Sequence, residues 1–303
     1  MRRTAVVVPA LTLLALAACG DSSPRTTVAP TPHESEEVRS VLARKISAAG
    51  REVQSRGSAA MLIRMTSTLP ERAGGGLMAG VGRGEFDFKS KTGTMFMKMT
   101  GPPGLPAMSQ RIEAIMKFPD VYMKSSLFSK LLPEGARWIT FDLQQMGEKM
   151  GIDMRGLMQL DASSNLVYLE GVRDVERVGV DRVRGVSTVQ YSAFIDFKSL
   201  AETVPEDLRP SIERLMDLMA SDRIPVEAWI DSKGVLRRER TEMQMYMPGL
   251  PESTTMSMDT IYYDFGRPVR VDVPAPRRVL TLRELMELSG ELPAPGLLPS
   301  GTV

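Results

Sequence analysis

The sequence predicts an α+β fold in which an antiparallel β-sheet carries α-helices on its apolar face. Two observations lead to this prediction. Segments in which apolar and polar residues alternate recur along most of the chain and are joined by short turns, a pattern typical of an antiparallel sheet with one buried face. Between these segments lie a few stretches whose apolar residues recur every three or four positions, the spacing of an amphipathic helix.

Three consecutive candidate strands between Ile224 and Phe265 form the clearest part of the predicted sheet, and we expect them at its centre. Each alternates apolar with polar residues, so that one face is apolar and the other faces water. The apolar face of the second and third strands is rich in methionine. Such a face needs either a cover or a ligand.

A turn at Asp231-Ser232-Lys233-Gly234 joins the first two of these strands, because Asp bonds the following backbone and Gly tolerates a positive φ. In the simplest register Glu227 faces Arg238, and Trp229 faces Leu236. A bulge at the glycine would shift this pairing.

The first 33 residues are predicted to target and tether the protein. Residues 1–18 have a basic start and an apolar run too short for a membrane span, which is typical of a signal peptide. Leu16-Ala17-Ala18-Cys19 resembles a bacterial lipobox, in which the cysteine is acylated, with groups such as palmitate, and becomes the mature N-terminus. Residues 19–33 then form a lipidated cysteine and a flexible tether, because few of them can be buried. An uncleaved anchor with an incidental cysteine is the alternative.

The folded domain is predicted to span residues 34–276. It begins with a helix that Ser35 caps and Gly50 ends, with an apolar stripe for the sheet. Strands follow over 59–67, 84–89 and 94–99. The glycine-rich stretch 72–84 is expected to be a mobile hairpin loop, at most a flap over a cavity, because it lacks the Gly-Lys-Ser/Thr ending of a phosphate-binding loop.

The second half of the domain is predicted to continue the meander. The expected elements, in order, are a hairpin over 111–125, a short strand near 136–139, an ambiguous stretch over 144–160, a helix capped by Asp161, a strand over 188–197, an amphipathic helix over 208–219, and, after the three strands above, an edge strand over 265–274. Residues 277–303 are predicted as a short helix, opened by the capping box Thr281-Leu282-Arg283-Glu284, and a disordered tail.

Composition excludes several functional classes. The net charge of +1 falls to −1 once Arg2 and Arg3 leave with the signal peptide, so nucleic-acid binding is disfavoured. The chain has one cysteine and one histidine, Cys19 and His33, which leaves Cys-His and Ser-His-Asp catalysis and histidine-rich metal sites without their parts. Catalysis by paired carboxylates stays open.

Several short stretches, spread in order between Glu34 and Pro276, resemble the LppX/LprG group of actinobacterial lipoproteins, which is related in fold to the LolA and LolB carriers. Gln190 stands where the group has a histidine, which indicates a divergent branch. The stretches are Asp120-Val121-Tyr122-Met123-Lys124, Gly135-Ala136-Arg137-Trp138-Ile139, Val175-Glu176-Arg177-Val178-Gly179 with Arg184-Gly185-Val186, Val226-Glu227-Ala228-Trp229-Ile230-Asp231 and Tyr263-Asp264-Phe265-Gly266-Arg267-Pro268-Val269.

The resemblance implies one domain with a strongly curved antiparallel sheet, a LolA-like half-barrel, around helices and an apolar cavity. It also implies that the protein carries or presents acylated lipids, without catalytic residues. The candidate cavity residues lie on the predicted apolar strand faces. They are Met61, Ile63, Met65, Met95, Met97, Met99, Val189, Tyr191, Ile195, Met243, Met245, Met247, Met256 and Met258.

Methionine is the one residue in excess, with 22 in the chain, and three interpretations of this excess remain. Methionines fill cores adaptably, their flexible thioethers suit ligands of irregular shape, and soft sulfur ligands bind Cu(I).

We therefore expect a monomeric, non-enzymatic lipoprotein without a cofactor or metal, anchored through acylated Cys19 at the extracytoplasmic face of the cell membrane. Its ligand would be an acylated lipid or glycolipid that it carries or presents. The alternatives are an interaction or signal-modulating lipoprotein with no lipid cargo and, as a minor one, Cu(I) binding through methionines.

Overall fold

The fold is built around one sheet of twelve strands. The computed structural model describes residues 36–71, 74–103, 105, 108–126, 128–159, 164–246 and 252–289. The strands are β1 (Ser58–Thr68), β2 (Leu77–Asp87), β3 (Thr92–Thr100), β4 (Gln110–Lys117), β5 (Asp120–Ser125), β6 (Trp138–Asp142), β7 (Val172–Val183), β8 (Val186–Asp196), β9 (Arg223–Asp231), β10 (Leu236–Tyr246), β11 (Ser253–Tyr263) and β12 (Val279–Thr281).

Within the described residues, six α-helices accompany the sheet, together with short 3-10 helices, of which Ser164–Gly171 is the longest. The α-helices are α1 (Glu36–Ser55), α2 (Leu143–Lys149), α3 (Met154–Gln159), α4 (Phe197–Thr203), α5 (Arg209–Leu218) and α6 (Leu282–Ser289).

The strands follow the order β12-β6-β5-β4-β3-β2-β1-β11-β10-β9-β8-β7. Every pairing is antiparallel except that of β12 with β6. The sheet is curved and unclosed, so the predicted α+β half-barrel class is confirmed. Strands β9 to β11 were predicted at the centre of the sheet, and that prediction is wrong. They lie inside the sheet but nearer one edge, because β1 pairs with β11 and brings β2 to β6 to that side.

The main core lies between one face of the sheet and the helices, and we call this the helix-bearing face. From the sheet it includes Ala59 of β1 and Ala228 of β9, and from α1 it includes Ile46 and Val53, both 0% exposed. Leu169 of the 3-10 helix is also fully buried there. Burial of these side chains holds the helices on the sheet, at roughly 25 cal/mol per Å² of apolar surface removed from water.

Gly50 does not end the first helix, so that prediction is wrong. Helix α1 continues through it to Ser55. A Cβ at Gly50 would lie 3.0 Å from Cδ1 of Leu169. The glycine therefore allows close packing of the helix on its neighbour rather than a stop.

The predicted glycine-rich loop is also wrong from Leu77 onward, because this stretch forms most of strand β2. Gly80, Gly82 and Gly84 pair with Met65, Ile63 and Met61 of β1, respectively. A Cβ at Gly82 would lie 2.8 Å from the carbonyl oxygen of Phe96 on β3. Here glycine permits a close approach of neighbouring strands, a use that composition alone does not distinguish from loop flexibility.

Two further predictions are corrected in the second half of the chain, and elements that were not predicted form there. No strand forms over 265–274, where Pro268 and Pro274 lack the N–H that a ladder needs, and the strands at the two edges of the sheet are β12 and β7. Strand 188–197 ends at Asp196, whose carboxylate accepts a bond from Ser199 N at 2.9 Å and so caps the unpredicted helix α4. The ambiguous stretch 144–160 holds α2 and α3, and strand β7 was not predicted.

The register of β9 and β10 differs from the simplest pairing because of a bulge between Leu236 and Arg238. Trp229 consequently faces Arg238, whose guanidinium lies 4.3 Å from the indole centroid. Glu227 faces Arg240, at 3.7 Å between their charged groups.

The terminal capping box is confirmed. Thr281 Oγ1 accepts a bond from Glu284 N at 3.2 Å, and Glu284 Oε2 accepts one from Thr281 N at 2.7 Å. The predicted signal peptide, Cys19, the tether over 19–33, the cap Asp161, Met247 and the tail beyond residue 289 lie outside the described residues.

We predict that Gly82→Ala destabilises the sheet, by about 1–3 kcal/mol, because the added methyl group meets the carbonyl oxygen of Phe96. Gly179→Ala in β7 is the matched control, since a Cβ there meets no atom within 4 Å. Urea unfolding of both variants measures the difference. Equal stability of the two variants would contradict the close-approach role of Gly82.

Candidate functional site

The helix-bearing face collects the predicted cavity residues that the structure describes. Across β1 and β11, Met65 pairs with Met258, and Met61 pairs with Tyr262. Across β2 and β3 the same row continues through the glycines to Met95, Met97 and Met99. The remaining members on this face are Val189, Tyr191, Ile195, Met243, Met245 and Met256. The alternation on which the prediction rests is therefore present in the structure.

This face is divided into two parts that differ in their cover. Tyr191 and Ile195 are buried in the main core beneath the helices, and Val189 and Met243 pack against that core. Towards β1, β2, β3 and β4 lies a separate group of nine side chains, which we call the methionine cluster. Its members are Met61, Ile63, Met65, Met78, Met95, Met97, Met99, Ile112 and Met258.

The methionine cluster consists only of side chains from strands. Met99, 5% exposed, is among its most buried members, whereas Met65, Met95 and Met258 remain partly exposed. The three glycines of β2 lie beneath the cluster. At Gly80, two methionines occupy the space that a side chain would fill. Cγ of Met65 lies 2.8 Å from the ideal Cβ position, and Sδ of Met99 lies 2.6 Å from it. Flexible thioethers rather than rigid side chains thus occupy the centre of this surface.

A buried carboxyl group marks the boundary between the two parts. Glu239 of β10 is paired with Thr260 of β11, which in turn is paired with Ile63 of the methionine cluster. Its oxygens accept bonds from the hydroxyls of Tyr168 at 2.5 Å and Tyr262 at 2.6 Å. These bonds supply the partners that a buried carboxyl group needs.

Burial raises the pKa of Glu239, although the two hydroxyl bonds act in the opposite direction. Burial and the neighbouring Glu239 also raise the pKa values of Tyr168 and Tyr262, so both hydroxyls remain donors at neutral pH. Glu239 was not among the predicted site residues. Glu239 lies on the same face of β10 as Met243 and Met245, because an even number of residues separates them. A carboxylate on the apolar face of a strand is the sequence pattern that would have identified Glu239 as a site residue.

A second polar group lies on the same face beside Met245. The hydroxyl of Thr254, which is paired with Met245 across β10 and β11, is buried without a hydrogen-bond partner among the described residues. Buried hydroxyls are usually bonded, so this oxygen is an exception among the described residues.

No group of three or more His, Cys, Asp or Glu side chains in the described ranges is arranged to hold a metal ion. None of the helices in these ranges combines the length and apolar character required to cross a membrane.

We predict that Glu239→Gln removes a pH dependence of stability. The folded protein binds the Glu239 proton more tightly than the unfolded chain does, so protonation of Glu239 stabilises the fold. This contribution to the free energy of unfolding is greatest below the ordinary pKa of 4.5 and is lost as the pH rises through the raised folded-state pKa. The stability of the natural protein should therefore fall relative to that of Glu239→Gln over this range. Urea unfolding from pH 4 to pH 8 measures both, and parallel profiles would contradict the prediction.

Comparison with known proteins gives one related sequence. An uncharacterized 31.2 kDa protein from the rplA–rplJ intergenic region of Streptomyces griseus is 25% identical over an alignment of 171 residues, and this alignment covers 52% of this chain and 52% of that protein. The chain thus spans about half the length of this curated relative. No family model matches the chain.

Solved structures show a likeness of fold. LprF from Mycobacterium bovis is 13% identical, with a TM-score of 0.45 over 78% of this chain and 98% of that one. LppX from Mycobacterium tuberculosis is 14% identical, with a TM-score of 0.46 over 77% and 99%. A LolA superfamily protein from Nitrosomonas europaea is 11% identical, with a TM-score of 0.25 over 75% and 95%. The chain is thus similar to LprF, to LppX and to a LolA superfamily protein, in line with the sequence resemblance to the LppX/LprG group.

Proposed function

We propose that this protein is a non-catalytic lipoprotein that binds acylated lipids on the helix-bearing face of its sheet and carries or presents them. The observation that carries the proposal is the methionine cluster, an apolar surface of the sheet built from strand side chains beside a separately packed main core.

The chemistry of the cluster fits acyl chains. Seven of its nine side chains are methionines, which can rearrange around a flexible ligand at little cost in packing energy. Each CH₂ group that an acyl chain removes from water contributes roughly 0.8 kcal/mol, against the cost of ordering the chain. Long chains therefore offset that cost more readily than short ones.

One polar group on the helix-bearing face, the hydroxyl of Thr254, supports the binding of a lipid rather than a hydrocarbon alone. The unpartnered hydroxyl of Thr254 provides a hydrogen-bond donor for an ester carbonyl. Glu239, in contrast, is already bonded to two tyrosines and serves to hold the boundary of the core.

Filling the cluster tests this proposal. Met65→Trp should reduce the lipid that copurifies with the protein, because the indole occupies space at the centre of the face. Thr66→Trp is the matched control, since its exposed side chain points from the same strand to the opposite face. Mass spectrometry of organic extracts measures the lipid, and thermal unfolding measures stability.

Two results would contradict the proposal. One is the absence of lipid from the natural protein. The other is a loss of about 1–3 kcal/mol of stability in Met65→Trp with unchanged lipid content, which would indicate a close-packed core at this position.

We further propose that the chain is attached to the extracytoplasmic face of the membrane through acylated Cys19, because Leu16-Ala17-Ala18-Cys19 resembles a lipobox. A single acyl chain anchors only marginally, so stable attachment needs the several chains of a lipobox cysteine. Cys19→Ala should therefore release the protein from the membrane fraction while circular dichroism shows an unchanged fold. Retention of this variant in washed membranes would show that another segment anchors it.

A further inference from the structure

A groove of about 950 Å³ lies on the face of the sheet opposite the methionine cluster. The strand pairings define its position. Leu62 is paired with Arg83, Arg83 with Phe96, Phe96 with Glu113, and Glu113 with Lys124, so one row of side chains crosses β1 to β5. Each of these residues neighbours a residue of the helix-bearing face in its strand and therefore points away from it.

The floor of this groove is apolar and open. Val81 is 55% exposed, and Phe96 is 47% exposed, while Leu62 is half-buried between them and β11. Leu132 and Ala136, from the segment between β5 and β6, line one end. Single exposed apolar residues are ordinary on a protein surface, but an aromatic and two aliphatic side chains in one groove form a surface that favours an apolar ligand.

The groove is also strongly basic. It is lined by five cationic side chains, Arg83, Lys98, Arg111, Lys124 and Arg137, and by a single carboxylate, Glu113. Glu113 pairs with Lys124 at 3.1 Å. Within the described residues, none of the other four cations has a carboxylate oxygen within 4.0 Å of its nitrogens. Lys98 and Arg111 are directly paired across β3 and β4.

The five cations are exposed and hydrated, so a ligand that uses the whole groove must offer both an anion and an apolar part. A groove crossing five strands spans about 19 Å, from four strand spacings of about 4.8 Å. Its volume lies within the usual range of small-molecule sites. A small inorganic anion would leave the floor exposed to water, and a neutral lipid would leave the cations unpaired.

We propose that this groove binds a long-chain amphiphile with an anionic head group, a fatty acid or an anionic phospholipid. The acyl chain lies on Leu62, Val81 and Phe96, and the anion lies beside Lys98 and Arg111. This site lies on the face opposite the methionine cluster, although Met97 and Ile112 of that cluster are among the residues that line the groove. It does not depend on the function proposed for the cluster.

Equilibrium binding of radiolabelled palmitate to the purified full chain tests the proposal. The double variant Lys98→Gln, Arg111→Gln should weaken palmitate binding about tenfold or more, because it removes two charge-assisted contacts, while binding of uncharged monopalmitoylglycerol stays unchanged. Phe96→Ser should weaken the binding of both ligands. The control variant Lys233→Gln, Arg240→Gln removes the same charge outside the groove and should bind both ligands normally.

The probes also distinguish the sources of the anion. Tighter binding of lysophosphatidylglycerol than of palmitate would assign the site to phospholipids, and the reverse order would assign it to fatty acids; either supports the proposal. Competition by inorganic phosphate alone would overturn it in favour of a small-anion site.

Three further outcomes would overturn the proposal. Equal weakening in the control variant would show a general effect of charge. Loss of palmitate binding in Met65→Trp, with normal binding in Lys98→Gln, Arg111→Gln, would place the ligand on the methionine cluster. If the groove variant loses binding to anionic vesicles but keeps its affinity for palmitate below the micellar concentration, the groove is a membrane-contact surface.

Discussion

Apolar packing of α1 and the 3-10 helix against strands β7 to β11 is the interaction on which the rest of the structure depends. Ile46 and Val53 of α1 and Leu169 of the 3-10 helix are fully buried by it. A single open sheet cannot be stable with both faces in water, so this contact supplies the core of the domain. The strands beyond β1 extend the same hydrogen-bonded ladder, and their helix-bearing face carries the methionine cluster.

The division between packed core and methionine cluster explains how the fold provides surfaces for ligands. Glu239, held by Tyr168 and Tyr262, lies where the two parts meet, and a buried carboxyl group with two hydroxyl partners fixes the local geometry. Beyond it, the strands have two sides of different chemistry. One is soft and apolar, and the other combines Phe96 with unpaired cations such as Lys98.

Local patterns predicted the strand faces well, because a period of two specifies which side chains share a face. The methionines of β3 and β10 illustrate this. Local patterns gave wrong predictions where a tertiary contact determines the role of a residue. Gly50 and Gly82 allow close approach to Leu169 and to strand β3, and neither contact can be inferred from neighbouring residues. The bulge after Leu236 changed the predicted partners of Trp229, and Glu239 was overlooked because its tyrosine partners lie far away in sequence.

Nuclear magnetic resonance of methyl-labelled methionines would test the central claim most directly, because each methyl group reports on its own surroundings. Titration with a neutral diacylglycerol should produce saturable shifts for Met65, Met97, Met99 and Met258 of the methionine cluster. The resonances of Met154 and Met216, which pack against the main core, should remain unchanged. Unchanged resonances of the cluster at saturating lipid, or equal shifts throughout the protein, would contradict the account.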